Sequence, residues 1–209
     1  MATTIQPISD TYKSIESASS GIYKDNGSKF LSFAYPVTST QEVKSILQDI
    51  KKEYFDARHH CYAYRIGYNG EQWRANDDGE PSSTAGKPIY GQILSNELSD
   101  ILIIVVRYFG GIKLGVPGLI KAYKSASSDA LTNASIITKI ATQKYYLEFD
   151  YLEMNQVMKI LKDLSLAPYN QNFNLKCSLE VDVRLTDIKS WEEKASSFFS
   201  KECIGKNNI

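Results

Sequence analysis

The spacing of apolar residues changes period several times along the chain, and each change predicts an element. Between residues 11 and 37 apolar and polar positions alternate weakly around Asp25-Asn26-Gly27-Ser28, a turn signal, which predicts a hairpin with KFLSFAYPV as its stronger strand. In STQEVKSILQDIKKEY, Val43, Ile46, Leu47 and Ile50 recur at helical spacing behind Ser39 or Thr40 as cap, and Glu42 is placed to close a capping box with Ser39. HCYAYRIGY alternates again and is rich in aromatics, as a strand should be, and Asn69-Gly70 predicts a type I′ turn into a returning strand. A long polar loop, NDDGEPSSTAGKP, leads to a short helix that begins near Pro88. DILIIVVRYF is apolar without alternation, the mark of a strand covered on both faces. After a glycine-rich stretch, Pro117 opens a helix whose expected inner face is Leu119, Ile120, Tyr123, Ala126, Ala130 and Leu131.

Near ITKIATQ the pattern restarts. KYYLEFDY reads as a strand, and Met154, Val157, Met158 and Leu161 form one face of a helix. LAPYNQNFN and LKCSLEVDVRL read as two more strands, and DIKSWEEKASSFFS as a closing helix. This β-α-β-β-α order suggests a ferredoxin-like half-sandwich with a short or missing last strand. The expected fold is therefore α+β, two α/β sandwich domains, spanning 1–140 and 141–209.

Charge narrows the function classes. The 209 residues carry 24 basic and 24 acidic side chains, balanced on both sides of the boundary. A protein that coats long duplexes by charge alone needs a basic excess, so any nucleic-acid contact here must be a local patch. Cys61, Cys177 and Cys203 are few and far apart, which argues against a disulfide framework or structural zinc and suits a cytoplasmic protein. The N-terminus lacks the pattern of a secretory leader, and the longest apolar run, 101–106, is too short to cross a bilayer, so no membrane partner is expected.

One local patch stands out. RYFGGIKLGVPGLIKAY joins the buried strand to a helix, and no acid occurs between Ile101 and Ser125. Glycines allow positive φ and close approach, while a helix N-terminus offers free N–H groups, so Arg107, Gly110, Gly111, Lys113, Gly115 and Lys121 are the candidate anion or nucleic-acid residues. The spacing gives neither of the common nucleotide signatures, and a tight crossover explains the glycines equally. Tyr108, Phe109 and Tyr123 lie among the cations and could stack on bases, although Phe109, Tyr123 or both are expected in the core. Alanine at Arg107 and Lys113 is expected to leave the fold intact and abolish ligand binding.

Asp77, Asp78 and Glu80 crowd one loop. Hard oxygen ligands so close could hold a divalent cation, but their spacing is not that of a calcium loop, and ordering the loop's own N–H groups is the simpler use. Thr84 lies where a hydroxyl caps the next helix. His59 and His60 point to opposite faces of a strand, which excludes chelation of one metal by both and leaves one of them to face the acidic loop. No nucleophile–base set is legible. The loop residues His59, Asp77, Asp78, Glu80 and Thr84 are therefore supporting candidates, with no catalytic residue, metal or cofactor assigned.

Together, HHCYAYRIG, DDGEPSSTAGKPI and VVRYFGGIKLGVPGLIKAY resemble, in order and spacing, the signature blocks of the YigZ/IMPACT family over about residues 15–135. The chain departs from them at Pro117 and Ser83, where glycine is usual, and at Lys121, where arginine is usual. The resemblance implies a first domain with the left-handed βαβ arrangement of domain IV of elongation factor G, followed by a ferredoxin-like domain. It also implies a non-enzymatic role in regulation of translation, with RNA, the ribosome or a translation factor as partner. The competing expectation is an enzyme for a small phosphorylated or anionic substrate held between the acidic and glycine loops. The oligomeric state is open, with a monomer as the working expectation.

Overall fold

The computed structural model describes residues 10–174 and 176–195. Residues 1–9 of the N-terminal stretch 1–16 expected to lack a leader, Cys203 and the end of the expected closing helix lie outside them. The described residues form two compact units, Tyr12–Lys139 and 140–195 with Asp10 and Thr11. None of their helices is long and apolar enough to cross a membrane.

The first unit is built on a five-stranded sheet. Its strands are β2 (Ser19–Asp25), β3 (Ser28–Pro36), β4 (His59–Ile66), β5 (Gln72–Asn76) and β6 (Ile101–Tyr108), in the order β2-β3-β6-β4-β5. Every neighbouring pair is antiparallel. Strands β3 and β4 therefore run parallel on either side of β6, joined by helix α1 (Thr40–Glu53). Two more helices, α2 (Gly86–Ser95) and α3 (Gly115–Thr132), complete the unit with a two-stranded sheet of β1 (Thr11–Ile15) and β7 (Ile136–Ile140).

The apolar run in β6 has the two-sided burial its composition predicts. Ile101, Ile103 and Val105 pack with α2 and α3, while Leu102, Ile104 and Val106 pack with α1. The central strand thus serves two cores, which places its last residues at the edge of both.

Local signals are mostly realised. Asn26 and Gly27 both have positive φ, 45° and 77°, in the β2–β3 turn. The Ser39 hydroxyl accepts from the Glu42 amide at 3.3 Å, but Glu42 returns to the Thr38 amide (2.8 Å), one residue before the expected partner. No type I′ turn forms at Asn69-Gly70. Only Gly70 of that pair has positive φ, and a longer loop closes the strands, with Arg65 Nη2 donating to the Asn69 carbonyl at 2.8 Å. On α3, Ile120 points outward, 39% exposed, and the rest of the expected face is buried.

The second unit has the β-α-β-β-α order: β8 (Thr142–Asp150), α4 (Met154–Asp163), β9 (Tyr169–Phe173), β10 (Lys176–Arg184) and α5 (Ile188–Ala195). Its antiparallel sheet runs β8-β10-β9. Tyr145, Leu147, Phe149, Val157, Leu161, Leu179, Val181, Val183 and Trp191 make its core, and Met158 stays outside.

Asp10 also belongs to this unit, because Arg184 grips both its carboxylate oxygens, at 2.8 and 2.9 Å, and the Thr186 hydroxyl adds a third bond. The Arg184 hydrogen bonds hold the Asp10 carboxyl at about 2, against the opposing effect of burial. A carboxyl depressed in the folded state contributes stability above its unfolded pKa of about 4 and loses it as protonation approaches the folded value. Stability of this unit should therefore fall between about pH 4 and pH 2. Asp10→Asn should flatten that part of the profile, which urea unfolding at stepped pH measures.

Candidate functional site

Strand register sets the site. Arg107, near the end of β6, lies opposite Phe30 of β3 on one side and His59 of β4 on the other. By alternation all three share the face that carries α2 and α3. The chain then turns through Phe109–Leu114 into α3, while the acidic loop returns from β5 to α2. The two loops meet above the row Phe30–Arg107–His59.

Between them lies a cleft of about 910 Å³. Arg107 and Glu80 contribute to its floor, and His59, Pro81, Phe109, Leu114, Val116 and Leu119 contribute to its walls. Lys113, Gly115 and Arg58 line it as well, and the Lys113 and Arg58 side chains are exposed.

The floor is a buried polar chain. Arg107 Nη1 donates to Glu80 Oε1 at 2.6 Å, with side chains only 8% and 3% exposed. The Tyr123 hydroxyl donates to the same oxygen at 2.8 Å, and the Cys61 thiol meets the Tyr123 hydroxyl at 3.3 Å. The guanidinium carbon lies 5.4 Å from the Phe30 ring centroid and 5.7 Å from that of Phe109. Burial, above all, pushes the Cys61 thiol and the Tyr123 phenol far above their usual ranges, with Glu80 adding to both shifts. Cys61 is thus held as a thiol at ordinary pH, which removes it as a nucleophile.

Arg107 is consequently not the free cation the sequence suggests. Its charge is matched by Glu80, and it works as part of the floor. The exposed charges are Lys113 and Arg58. Arg58 had no signal beyond its place just before a strand.

The acidic loop is organised by its own carboxylates. Asp77 accepts from the amides of Ser83 (2.8 Å), Ala85 (3.0 Å) and Gly86 (2.8 Å), so it caps the start of α2 from outside the helix. Asp78 accepts from the His60 amide at 2.7 Å and pairs with Lys51 at 3.3 Å. Its carbonyl meets His59 Nδ1 at 2.9 Å. The Thr84 hydroxyl donates to the Pro81 carbonyl at 2.7 Å. Asp77, Asp78 and Thr84 shape the loop from outside the cleft, whereas Glu80 and His59 reach into it.

The glycines divide in the same way. Gly110 packs against the β2–β3 turn, and its amide donates to the Ser28 hydroxyl at 3.1 Å, so that N–H is already used. Gly111, with φ 90°, makes the crossover outside the cleft, and Gly115, with φ 70°, lines it at the start of α3. Lys121 is exposed one turn further along α3, away from the lining residues. No side chain caps α3 and no acid lies in its first turn, where Pro117 has no N–H to offer; Gly115 and Val116 of that turn line the cleft.

Ser83 has φ 65°, in the left-handed region that disfavours a side chain. Ser83→Gly should relieve that cost, about 1–2 kcal/mol, less glycine's own entropic penalty of about 0.5–1 kcal/mol. The expected net gain is about 0.5–1 kcal/mol, read as a higher urea midpoint at unchanged slope.

Residues 26–131 match the family model described as the Impact N-terminal domain. The IMPACT family member YvyE of Bacillus subtilis is 35% identical over 157 residues, covering 73% of this chain and 72% of its own. The family member YigZ of Escherichia coli is 30% identical over 173 residues, covering 82% and 85%. A crystal structure described as that of a hypothetical protein matches with a TM-score of 0.71 at 26% identity, covering 91% of this chain and 93% of that one.

Proposed function

Because the chain belongs to the IMPACT family, a translation-regulation family, we propose that it is a non-enzymatic binding protein that contacts RNA, the ribosome or a translation factor in the cytoplasm. The observation that carries this reading is the cleft of the first unit. It joins exposed aromatic and apolar side chains to two exposed cations and an uncapped helix start, the mixture that suits a flexible phosphate-bearing strand. Its polar floor is occupied by structural hydrogen bonds, with no nucleophile–base pair among them. We further read the second unit as ferredoxin-like from its element order, and the domain boundary as falling near residue 140.

The test is sedimentation with ribosomes and bulk RNA at two salt concentrations. Two exposed cations predict modest, salt-sensitive association. Arg58→Ala with Lys113→Ala should keep the fold, since both side chains are exposed, and should abolish co-sedimentation. A protein that stays in the supernatant at both salts would sink this reading and favour a small anionic substrate.

A further inference from the structure

Four large apolar side chains lie open to water along one stretch of the first unit. Phe109, Ile112, Val116 and Ile120 are between 39% and 59% exposed, whereas their neighbours Leu119 and Tyr123 turn into the core. Val116 and Ile120 are one turn apart on α3, so they stand on one ridge, and Val116 also lines the cleft with Phe109 and Leu114. Holding such groups in water forgoes the free energy of burying them, and exposed apolar patches of this kind mark interaction surfaces.

The chemistry of the ridge selects the partner. An RNA strand stacks its bases on aromatic faces, and of these four side chains only Phe109 has one. Ile112, Val116 and Ile120 are aliphatic. They are matched by apolar side chains, which a protein carries and a phosphate-bearing strand does not.

The charges set the partner's sign. Lys124 continues the ridge one turn beyond Ile120, Lys113 and Arg58 line the cleft, and all three are exposed. Helix α3 carries no acid before Asp129, whose Oδ2 accepts from the Ile22 amide at 2.8 Å. Asp56 also lines the cleft, with one oxygen on the Tyr108 hydroxyl at 2.7 Å, and Glu80 is matched by Arg107. The exposed balance is basic, so its complement is acidic. The backbone sets the partner's conformation. A helix surface offers no ladder of free N–H and C=O groups, so a segment lying on α3 has to satisfy its own backbone, as a second helix does.

We propose that the mouth of the cleft and the Val116–Ile120 ridge dock an acidic amphipathic helix of a partner protein, with its apolar anchors on Phe109, Val116 and Ile120 and its carboxylates toward Arg58, Lys113 and Lys124. The inference rests on the binding role proposed above and names the class of partner.

The probe is a synthetic helix of leucine, alanine and glutamate with leucines at i, i+4 and i+7, titrated into the isotope-labelled full chain. One counterpart carries lysine for every glutamate, and another carries alanine for every leucine. The acidic leucine helix should bind and shift the amides of Val116 and Ile120, and both counterparts should bind about tenfold more weakly or worse. Val116→Ser with Ile120→Ser, at two exposed positions, should weaken the acidic helix by about the same factor. Lys113→Glu with Lys124→Glu should reverse the preference toward the lysine helix. No binding of the acidic helix, equal binding of the lysine helix, or undiminished affinity in the folded double-serine variant would overturn the proposal. Ribosome co-sedimentation separates this partner from the broader role. If the double-serine variant still co-sediments while Arg58→Ala with Lys113→Ala does not, the binding role stands, the contact is RNA, and the protein helix is refuted. A chain that ignores ribosomes and RNA but binds the acidic helix through the ridge supports the docking surface and removes only the ribosome.

Discussion

Replacing Arg107 with alanine is expected to destabilise the first unit by about 3–5 kcal/mol, because it strands the Glu80 carboxylate in a site only 3% exposed. The expectation that alanine at Arg107 and Lys113 leaves the fold intact is therefore withdrawn for Arg107 and kept as an expectation for Lys113, whose side chain is exposed. Glu80→Ala should cost a similar amount by stranding the guanidinium. The double replacement should cost clearly less than the sum, since it leaves neither charge alone. Urea unfolding of all three variants, followed by exchange of the β6 amides, measures the coupling. Additive losses would show that the 2.6 Å contact contributes little.

Gly110→Ala should be the second severe change. A Cβ there would lie 1.9 Å from the Gly27 carbonyl carbon and 2.1 Å from the Ser28 amide nitrogen, all backbone atoms that no rotamer can move aside. The β2–β3 turn and the glycine loop would have to separate, at about 3 kcal/mol or more. Since the same loop carries Phe109 and Lys113, ligand binding should fall with stability. Gly111→Ala is the control. Nothing lies within 4 Å of its Cβ position, and its φ of 90° alone should cost about 1–2 kcal/mol. Equal losses at the two positions would show that backbone conformation, not close packing, explains both glycines.

What could be read in advance was local. The unalternating run 101–106, the Ser39 cap and the Asn26-Gly27 turn each rest on neighbours within a few positions, and each formed. The β1–β7 sheet escaped because its strands are short and separated by more than a hundred residues. The functional surface was legible as a list of residue types but not as a circuit. Arg107 and Glu80 are 27 positions apart, and nothing in their spacing announces that one neutralises the other. The glycines likewise looked equivalent, although Gly110 serves packing, Gly111 the crossover and Gly115 the cleft. Expecting Phe109 or Tyr123 inside was correct for Tyr123, whose ring meets Phe30 edge-on at 5.2 Å. Phe109 stays out, and its exposure gives the cleft an aromatic wall.

The acidic loop has a consequence for how the molecule breathes. Asp77 and Asp78 bind four amides between them, one on β4 and three at or before the start of α2. Opening the loop would break all four at once and expose the first turn of α2. Its free energy of opening should accordingly approach that of the sheet beneath it. The amides of Ser83, Ala85 and Gly86 would then exchange with solvent at the pace of the interior, and a protease would find no purchase in a segment whose composition invites one.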